Sequence, residues 1–152
     1  MYKRILVPVD GSHTSTQGLS EAIKLAKVQK AKLRLIHVVD ELILTGGIDG
    51  SADYSGNLLE SLRDGGKSIL RTAESRVQRH GLNSESVMLE HFGNQAAGLI
   101  VKDAKKWKAD LIVLGTHGRR GIRRLVMGSD AEEIVRTSPV PVLLVRSKSS
   151  DK

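Results

Sequence analysis

Glycine and arginine are concentrated in one short segment of this 152-residue chain, from Gly115 to Ser129. Gly115 and Gly118 directly follow an apolar run, where glycine lets the main chain approach a ligand closely. Gly128 and Ser129 open a helical pattern, and the free N–H groups of a helix start favour an anion. Four arginines between the two glycine pairs add positive potential: Arg119, Arg120, Arg123 and Arg124. The segment therefore predicts a site that binds phosphate through main-chain amides.

The same segment also fits a purely structural interpretation. A glycine-rich surface loop with solvated arginines has this composition, and Ser129 can cap the helix, with Glu132 completing a capping box. A hydroxyl both donates and accepts hydrogen bonds, so capping and phosphate binding by Ser129 can coexist. Composition and spacing leave both interpretations open.

No set of residues indicates a catalytic site. His13 and His117 lie in predicted loops, where a histidine serves as a base, binds phosphate or simply faces solvent. His37 lies within an apolar run and indicates a hydrogen-bonded core residue. Asp10 follows the first apolar run, where an aspartate either starts a turn or binds a ligand. No His, Asp and Glu cluster has metal-ligand spacing, so we expect a divalent ion to be held by phosphate oxygens.

Apolar runs alternate with helical patterns along the chain. The runs predict five strands, at residues 5–7, 33–39, 85–90, 110–114 and 140–145. Helical spacing predicts helices around residues 19–26, 58–80 and 96–107 and from residue 128. Thr14 and Gln17 form a plausible capping box for the first helix, and residues 40–57 are predicted to be a long loop.

One segment of the second helix resembles a Walker A loop. Ser61–Ser68 lacks only the first glycine of that motif, but it lies inside a helical pattern rather than after a strand. We interpret it as helix and expect Gly65 and Gly66 to mark a kink or a break.

The alternation predicts a parallel sheet that is covered on both faces. Such sheets bind ligands beyond the carboxyl ends of their strands, where the winding reverses. Function is therefore expected after strands one, two and four, at residues 8–14, at residues 38–40 and from residue 115.

Composition narrows the class of protein. The net charge of +7 favours anionic partners, whereas 3% aromatic residues argue against a binder of single-stranded nucleic acid. Cysteine is absent, which excludes disulfides and thiol catalysis. No apolar run approaches the ~18 residues of a membrane span, and the first residues lack a secretory pattern. We expect one cytoplasmic domain that does not contact a membrane.

The glycine spacing resembles that of a known family. Gly115, two residues, Gly118, nine residues and then Gly128-Ser129 match the G-2x-G-9x-G-(S/T) signature of ATP-binding universal stress proteins. Two glycine pairs at this separation are far more specific than a lone glycine-rich loop.

Three other segments carry the resemblance. Pro8–Ser12 looks like the family's first-strand motif, His37–Asp40 like its second-strand ending and Pro139–Val142 like its last strand. The likeness covers about residues 1–146, taken as one nucleotide-binding domain, and leaves residues 147–152 as a polar tail.

The resemblance implies a single doubly wound α/β domain of the Rossmann-like HUP type. Its open five-stranded parallel sheet would have the strand order 3-2-1-4-5, with helices on both faces. Two copies would pair through the last strand, Val142–Val145, as a homodimer. The cofactor would be ATP or another adenine nucleotide, with Mg²⁺ held by its phosphates.

By position, the resemblance also implies the nucleotide contacts. Pro8, Val9 and Val38 would line the adenine, and Asp10 would hold the ribose hydroxyls. The phosphates would be held by four residues, with three others close by: Gly115, Gly118, Gly128 and Ser129, then Thr116, His117 and Arg119. Asp130 is an anion where some nucleotide-binding relatives carry an apolar residue, which weakens the case for a triphosphate.

These observations favour an ATP-binding regulatory protein of the stress response that acts on a further protein partner. The alternative is a slow ATPase or autophosphorylating enzyme, since Arg119 and Arg120 could stabilise charge, although no residue clearly positions a nucleophile. A duplex nucleic-acid binder is a third hypothesis, suggested only by the charge and unsupported by any reader motif.

Overall fold

The computed structural model describes residues 1–40, 52–91, 93, 96–116 and 127–146. The strands are β1 (Arg4–Pro8), β2 (Lys32–Asp40), β3 (Ser84–His91), β4 (Leu111–Gly115) and β5 (Val142–Val145). The helices are α1 (His13–Gln29), α2 (Ala52–Arg79), α3 (Ala96–Trp107) and α4 (Ser129–Thr137).

The five strands form one parallel sheet in the order β3-β2-β1-β4-β5, which confirms the expected α/β fold. β1 lies in the centre and pairs with β2 on one side and β4 on the other. The winding therefore reverses between β1 and β4, where such sheets bind ligands. We call the end of the sheet at which Pro8, Asp40 and Gly115 lie the carboxyl edge.

Alternate residues of each strand enter two separate cores, one on each face of the sheet. Ile5 and Val7 pack with α1 and α2, whereas Leu6 and Ile112 pack with α3 and α4. All four side chains are completely buried. Near-continuous apolar strands are the sequence signature of this double coverage.

Helix α2 departs from the sequence-based expectation at two points. It begins at Ala52, so the second part of the predicted loop at residues 40–57 is helical, while residues 41–51 lie outside the described part of the chain. Gly65 and Gly66 also do not end the helix, which runs without interruption to Arg79. Gly66 instead allows α2 to pack closely on β2, as described below.

At the opposite end of the sheet, which we call the amino end, two arginines pack against Trp107. The Trp107 ring is buried, and the guanidinium carbons of Arg4 and Arg34 lie 4.6 and 5.0 Å from its centroid. Arg34 also donates hydrogen bonds to Asp103 and Glu85. Burial alone would lower the pKa of Arg34, but these hydrogen bonds outweigh it and raise that pKa. Trp107 is thus a core residue.

Within the described ranges, no helix combines the length and the apolar character that crossing a bilayer requires.

Helix α1 approaches the end of β4 so closely that neither backbone leaves room for a side chain. A Cβ on Gly115 would lie 2.5 Å from the carbonyl carbon and oxygen of Thr14, and 2.9 Å from the nitrogen of Ser15. From the other side, a Cβ on Gly18 would lie 3.1 Å from the nitrogen of Gly115. The atoms in the way belong to backbone, which cannot rotate aside.

We therefore expect Gly115→Ala to lower the free energy of unfolding by about 2 kcal/mol or more, because it overpacks this contact. Gly98→Ala in α3 is the matched control, since a Cβ there meets nothing within 4 Å. We expect it to be neutral or stabilising by up to about 1 kcal/mol. Urea unfolding of both variants measures the difference, and equal free energies would contradict the close contact.

Candidate functional site

A tight turn at the end of β1 orients the side chain of Asp10. One of its carboxylate oxygens accepts a hydrogen bond from the main-chain N–H of Ser12 at 2.8 Å. Gly11, between them, has a φ of 80°, a left-handed conformation that suits glycine. The Asp10 N–H in turn donates to the Ser15 hydroxyl at 3.2 Å. The carboxylate is therefore held in a turn that is fastened to the first turn of α1.

The first turn of α1 also contacts the end of β4. Ser15 follows Thr14, whose backbone lies against Gly115 in the close contact described above. Asp10 and Gly115 are 105 positions apart in sequence. A short chain of contacts nevertheless brings the two strand ends together, as the parallel sheet predicts.

Thr116 extends the chain of contacts from β4 to α4. Its main-chain oxygen accepts a hydrogen bond from the Gly128 N–H at 2.9 Å, and its own N–H donates to the Val145 oxygen at 3.0 Å. The end of β4 thereby holds both the start of α4 and the end of β5. Gly115 and Gly128, two of the predicted phosphate contacts, are brought together with Thr116, which was predicted to lie close by.

The start of α4 is suited to an anion. Gly128 is its N-cap, and among the described residues no side chain forms a capping hydrogen bond there. Helix geometry leaves the first N–H groups without intrahelical partners, which favours an anion at this end. Asp130 and Glu132 lie in the first turn and add negative charge there. The helix start therefore favours an anion whose own charge is small or partly neutralised.

An apolar surface lies beside these groups on the α3 and α4 side of the sheet. Val38 and Met127 are partly buried and pack against the core on that side. Pro8, the last residue of β1, is also only partly buried. Aliphatic side chains of this kind can contact a purine without aromatic stacking.

Val9, one of the residues predicted to line the adenine, has its side chain and its main-chain polar groups engaged within the fold. Its side chain is buried in the core on the α1 and α2 side. Its N–H donates to the Ile36 oxygen at 2.7 Å, and its oxygen accepts from the His37 ring at 2.7 Å. Sequence position alone does not reveal that Val9 supports the site from within the fold.

Three of the predicted site residues, His117, Gly118 and Arg119, lie outside the described part of the chain, as do the other arginines of that segment. Among the residues that the structure does describe, no group of three or more His, Asp or Glu is placed to hold a metal ion.

The helix caps differ from the two capping boxes read from the sequence. Ser12, not Thr14, caps α1, and its hydroxyl accepts from the Ser15 N–H at 3.1 Å. Ser129 is the first residue of α4 rather than its cap, and it is exposed. The structural interpretation of Ser129 as a capping residue is therefore wrong, because Gly128 takes that position.

Sequence patterns do not identify two other residues of the site, Met127 and Gly18. Met127 precedes the Gly128-Ser129 pair, and its apolar side chain gave no distinguishing signal. Gly18 lies inside a helical pattern, where only the long-range contact with Gly115 explains why a glycine is needed.

The amino-acid sequence of the chain matches the model of one protein family. The model of the universal stress protein family matches residues 1–146. The chain belongs to the universal stress protein family. The resemblance seen in the glycine motif is thereby confirmed.

Individual relatives in the family agree with this assignment. Universal stress protein MJ0531 from Methanocaldococcus jannaschii is 34% identical over 152 residues, which cover 99% of this chain and 86% of that protein. The solved structure of hypothetical protein MJ0577 has a TM-score of 0.86 at 25% identity and covers 99% of both chains.

A further solved structure of the family contains a nucleotide. It is a universal stress protein in complex with cAMP, with a TM-score of 0.68 at 25% identity, covering 97% of this chain and 99% of that one. A structural neighbour of this chain therefore binds cAMP.

We expect the two serines at the helix starts to respond differently to truncation. Ser12→Ala removes the hydroxyl that caps α1 and should lower the free energy of unfolding by about 1 kcal/mol. Ser129→Ala removes an exposed hydroxyl that caps nothing and should change it by less than about 0.5 kcal/mol. Urea unfolding measures both, and an equal loss in the two variants would contradict this assignment of the caps.

Proposed function

We propose that this protein binds an adenine nucleotide at the carboxyl edge, between β1, β2 and β4, and acts as a nucleotide-responsive regulator in the stress response. The chain of contacts from Asp10 through the first turn of α1 to Gly115, Thr116 and Gly128 is the observation that carries the proposal. It joins a carboxylate, two strand ends and an uncapped helix start, which are the groups that a ribose and its phosphates require.

Each part of the nucleotide has residues of suitable chemistry. The Asp10 carboxylate accepts hydrogen bonds from the ribose hydroxyls. Pro8, Val9 and Val38 lie at the strand ends where we place the adenine, and the side chain of Val9 is buried in the core on the α1 and α2 side. The phosphates bind at Gly115, Gly128 and the Ser129 hydroxyl, close to Thr116. The glycine motif extends the proposal to Gly118, His117 and Arg119, which lie outside the described residues.

ATP with Mg²⁺ is the form that we propose as ligand. Asp130 and Glu132 in the first turn of α4 repel a free triphosphate. A magnesium ion held by the phosphate oxygens lowers the charge that meets these carboxylates. The neighbour with bound cAMP supports the adenine nucleotide class, and the choice of ATP rests on the glycine signature.

We expect Mg·ATP to bind the wild type in isothermal titration calorimetry. Gly128→Val should raise the dissociation constant by about tenfold or more, since a branched side chain then stands at the α4 start. Asp10→Ala should raise it by a similar factor because it removes the proposed ribose acceptor. Asp64→Ala, which changes an exposed aspartate of α2, is the matched control and should leave affinity unchanged.

Urea unfolding of each variant separates lost affinity from lost folding. Equal affinities for wild type and Gly128→Val would place the nucleotide elsewhere. A wild type that binds no adenine nucleotide would contradict the proposed function itself.

We also propose that two copies pair through β5. In the observed order β5 is an edge strand, and its four residues are all apolar. Leu143 is 38% exposed. The other edge strand, β3, carries Glu85 and Glu90 and is more polar. An uncovered apolar edge favours pairing with a second copy around a two-fold axis.

We expect Leu143→Lys to convert the dimer to a monomer, because a lysine on an edge strand opposes pairing. Sedimentation velocity at micromolar concentration should give about twice the 16.5 kDa chain mass for the wild type and the single chain mass for the variant. Leu58→Lys is the matched control, since Leu58 is a similarly exposed leucine on α2. A monomeric wild type, or a dimer that survives Leu143→Lys, would rule out this interface.

The proposed ligand is an intracellular metabolite, and we accordingly place the protein in the cytoplasm, where it acts on a further protein partner.

A further inference from the structure

The buried ring of His37 holds the main chain at the end of β1. His37 lies on β2, is 6% exposed, and its Nδ1 is 2.7 Å from the Val9 oxygen. A carbonyl oxygen only accepts hydrogen bonds, so Nδ1 carries a proton and donates it. The Val9 N–H donates to the oxygen of Ile36, the residue before His37. Adjacent residues of β2 therefore hold both main-chain polar groups of Val9.

The peptide group between Val9 and Asp10 is thereby fixed at both ends. Its oxygen accepts from His37, and its N–H, which belongs to Asp10, donates to the Ser15 hydroxyl. A peptide group is planar, so two such bonds on opposite sides define its orientation. That orientation sets where the Asp10 side chain begins.

Helix α2 holds the His37 ring in place from the other side. A Cβ on Gly66 would lie 2.7 Å from Cδ2 and 3.2 Å from Nε2 of His37, and 3.0 Å from the sulfur of Met88. The ring consequently packs directly against the backbone of α2. One turn earlier, Arg63 donates two hydrogen bonds to Glu90 of β3, at 2.7 and 2.8 Å, which fastens α2 to the sheet. These hydrogen bonds lower the pKa of the Glu90 carboxyl.

We propose that His37 is a positioning residue of the nucleotide site. It acts through the Val9–Asp10 peptide on the carboxylate of Asp10, and α2 sets its ring through Gly66. This inference rests on the proposed function, because it assigns to Asp10 the ribose contact described above. It adds that the geometry of this contact depends on a residue that does not touch the nucleotide.

The first experiment compares two substitutions of His37 by calorimetric titration with Mg·ATP. His37→Leu removes the donor and keeps an apolar side chain, and it should raise the dissociation constant about fivefold. His37→Asn places an amide nitrogen at the position of Nδ1 and should restore the affinity to within about twofold of the wild type. Equal affinity of His37→Leu and wild type would overturn the proposal.

A double-mutant cycle with Asp10→Ala separates positioning from a general structural role. If His37 acts through Asp10, His37→Leu should change the affinity by less than about twofold in the Asp10→Ala background. An unchanged fivefold loss in that background would show that His37 acts by another route and would overturn the proposal.

Hydrogen exchange in the nucleotide-free protein tests the positioning without any ligand. The Val9 N–H is bonded and its residue is buried, so its exchange is slow in the wild type. His37→Leu should speed this exchange about tenfold, and His37→Asn should not. If His37→Leu speeds the exchange but the wild type binds no ATP, the hold of His37 on the Val9–Asp10 peptide stands and only the proposed function is contradicted. Unchanged exchange in His37→Leu would overturn the positioning role.

Gly66→Ala provides a second variant if His37→Leu does not fold. Its methyl group should displace the ring, raise the dissociation constant for Mg·ATP and speed the Val9 exchange. Gly65→Ala is the adjacent control, because a Cβ there meets nothing within 4 Å, and it should change neither quantity. Equal behaviour of the two alanine variants would contradict the part assigned to α2.

Discussion

The architecture of the site depends on the contact between the backbones of α1 and β4 at Thr14 and Gly115. No Cβ fits between them, so the first turn of α1 lies directly against the end of β4. Asp10 is fastened to that turn through Ser15, and Gly128 is fastened to β4 through Thr116. Gly115 of the glycine signature therefore allows α1 to pack against β4. This structural role is separate from any contact between its main chain and a ligand.

The two ends of the sheet differ in what their polar groups do. At the amino end, Arg34 bonds to carboxylates and packs with Arg4 on a buried tryptophan, so these groups stabilise the fold. At the carboxyl edge, the strands end in turns, and α4 begins without a side-chain cap. Because the winding reverses between β1 and β4, the helices that follow these neighbouring strands pack on opposite faces of the sheet, and the start of α4 lies beside the end of β4. The first N–H groups of α4 therefore lie at the carboxyl edge, beside the end of β4.

Local patterns predicted most of the elements, and long-range packing decided the rest. The apolar spacing of α3 is regular, and its predicted range, residues 96–107, is the observed one. Residues 52–57 at the start of α2 show no apolar periodicity, because most of them are polar or glycine, so the local pattern does not predict this helical turn. Ser12 was passed over as a cap because Thr14 has the glutamine that a capping box requires. The roles of Gly66 and Val9 depend on His37, which is distant from both in sequence, and no local pattern could reveal them.

The central claim is that an adenine nucleotide occupies the carboxyl edge, and an NMR titration of ¹⁵N-labelled protein with Mg·ATP tests it most directly. The account predicts that the largest amide shifts fall on Asp10, Gly115, Thr116, Gly128 and Ser129. The indole N–H of Trp107, the single tryptophan, lies at the opposite end of the sheet and should stay unchanged. Shifts centred on Trp107 and the end of α3, or none at millimolar Mg·ATP, would contradict the account.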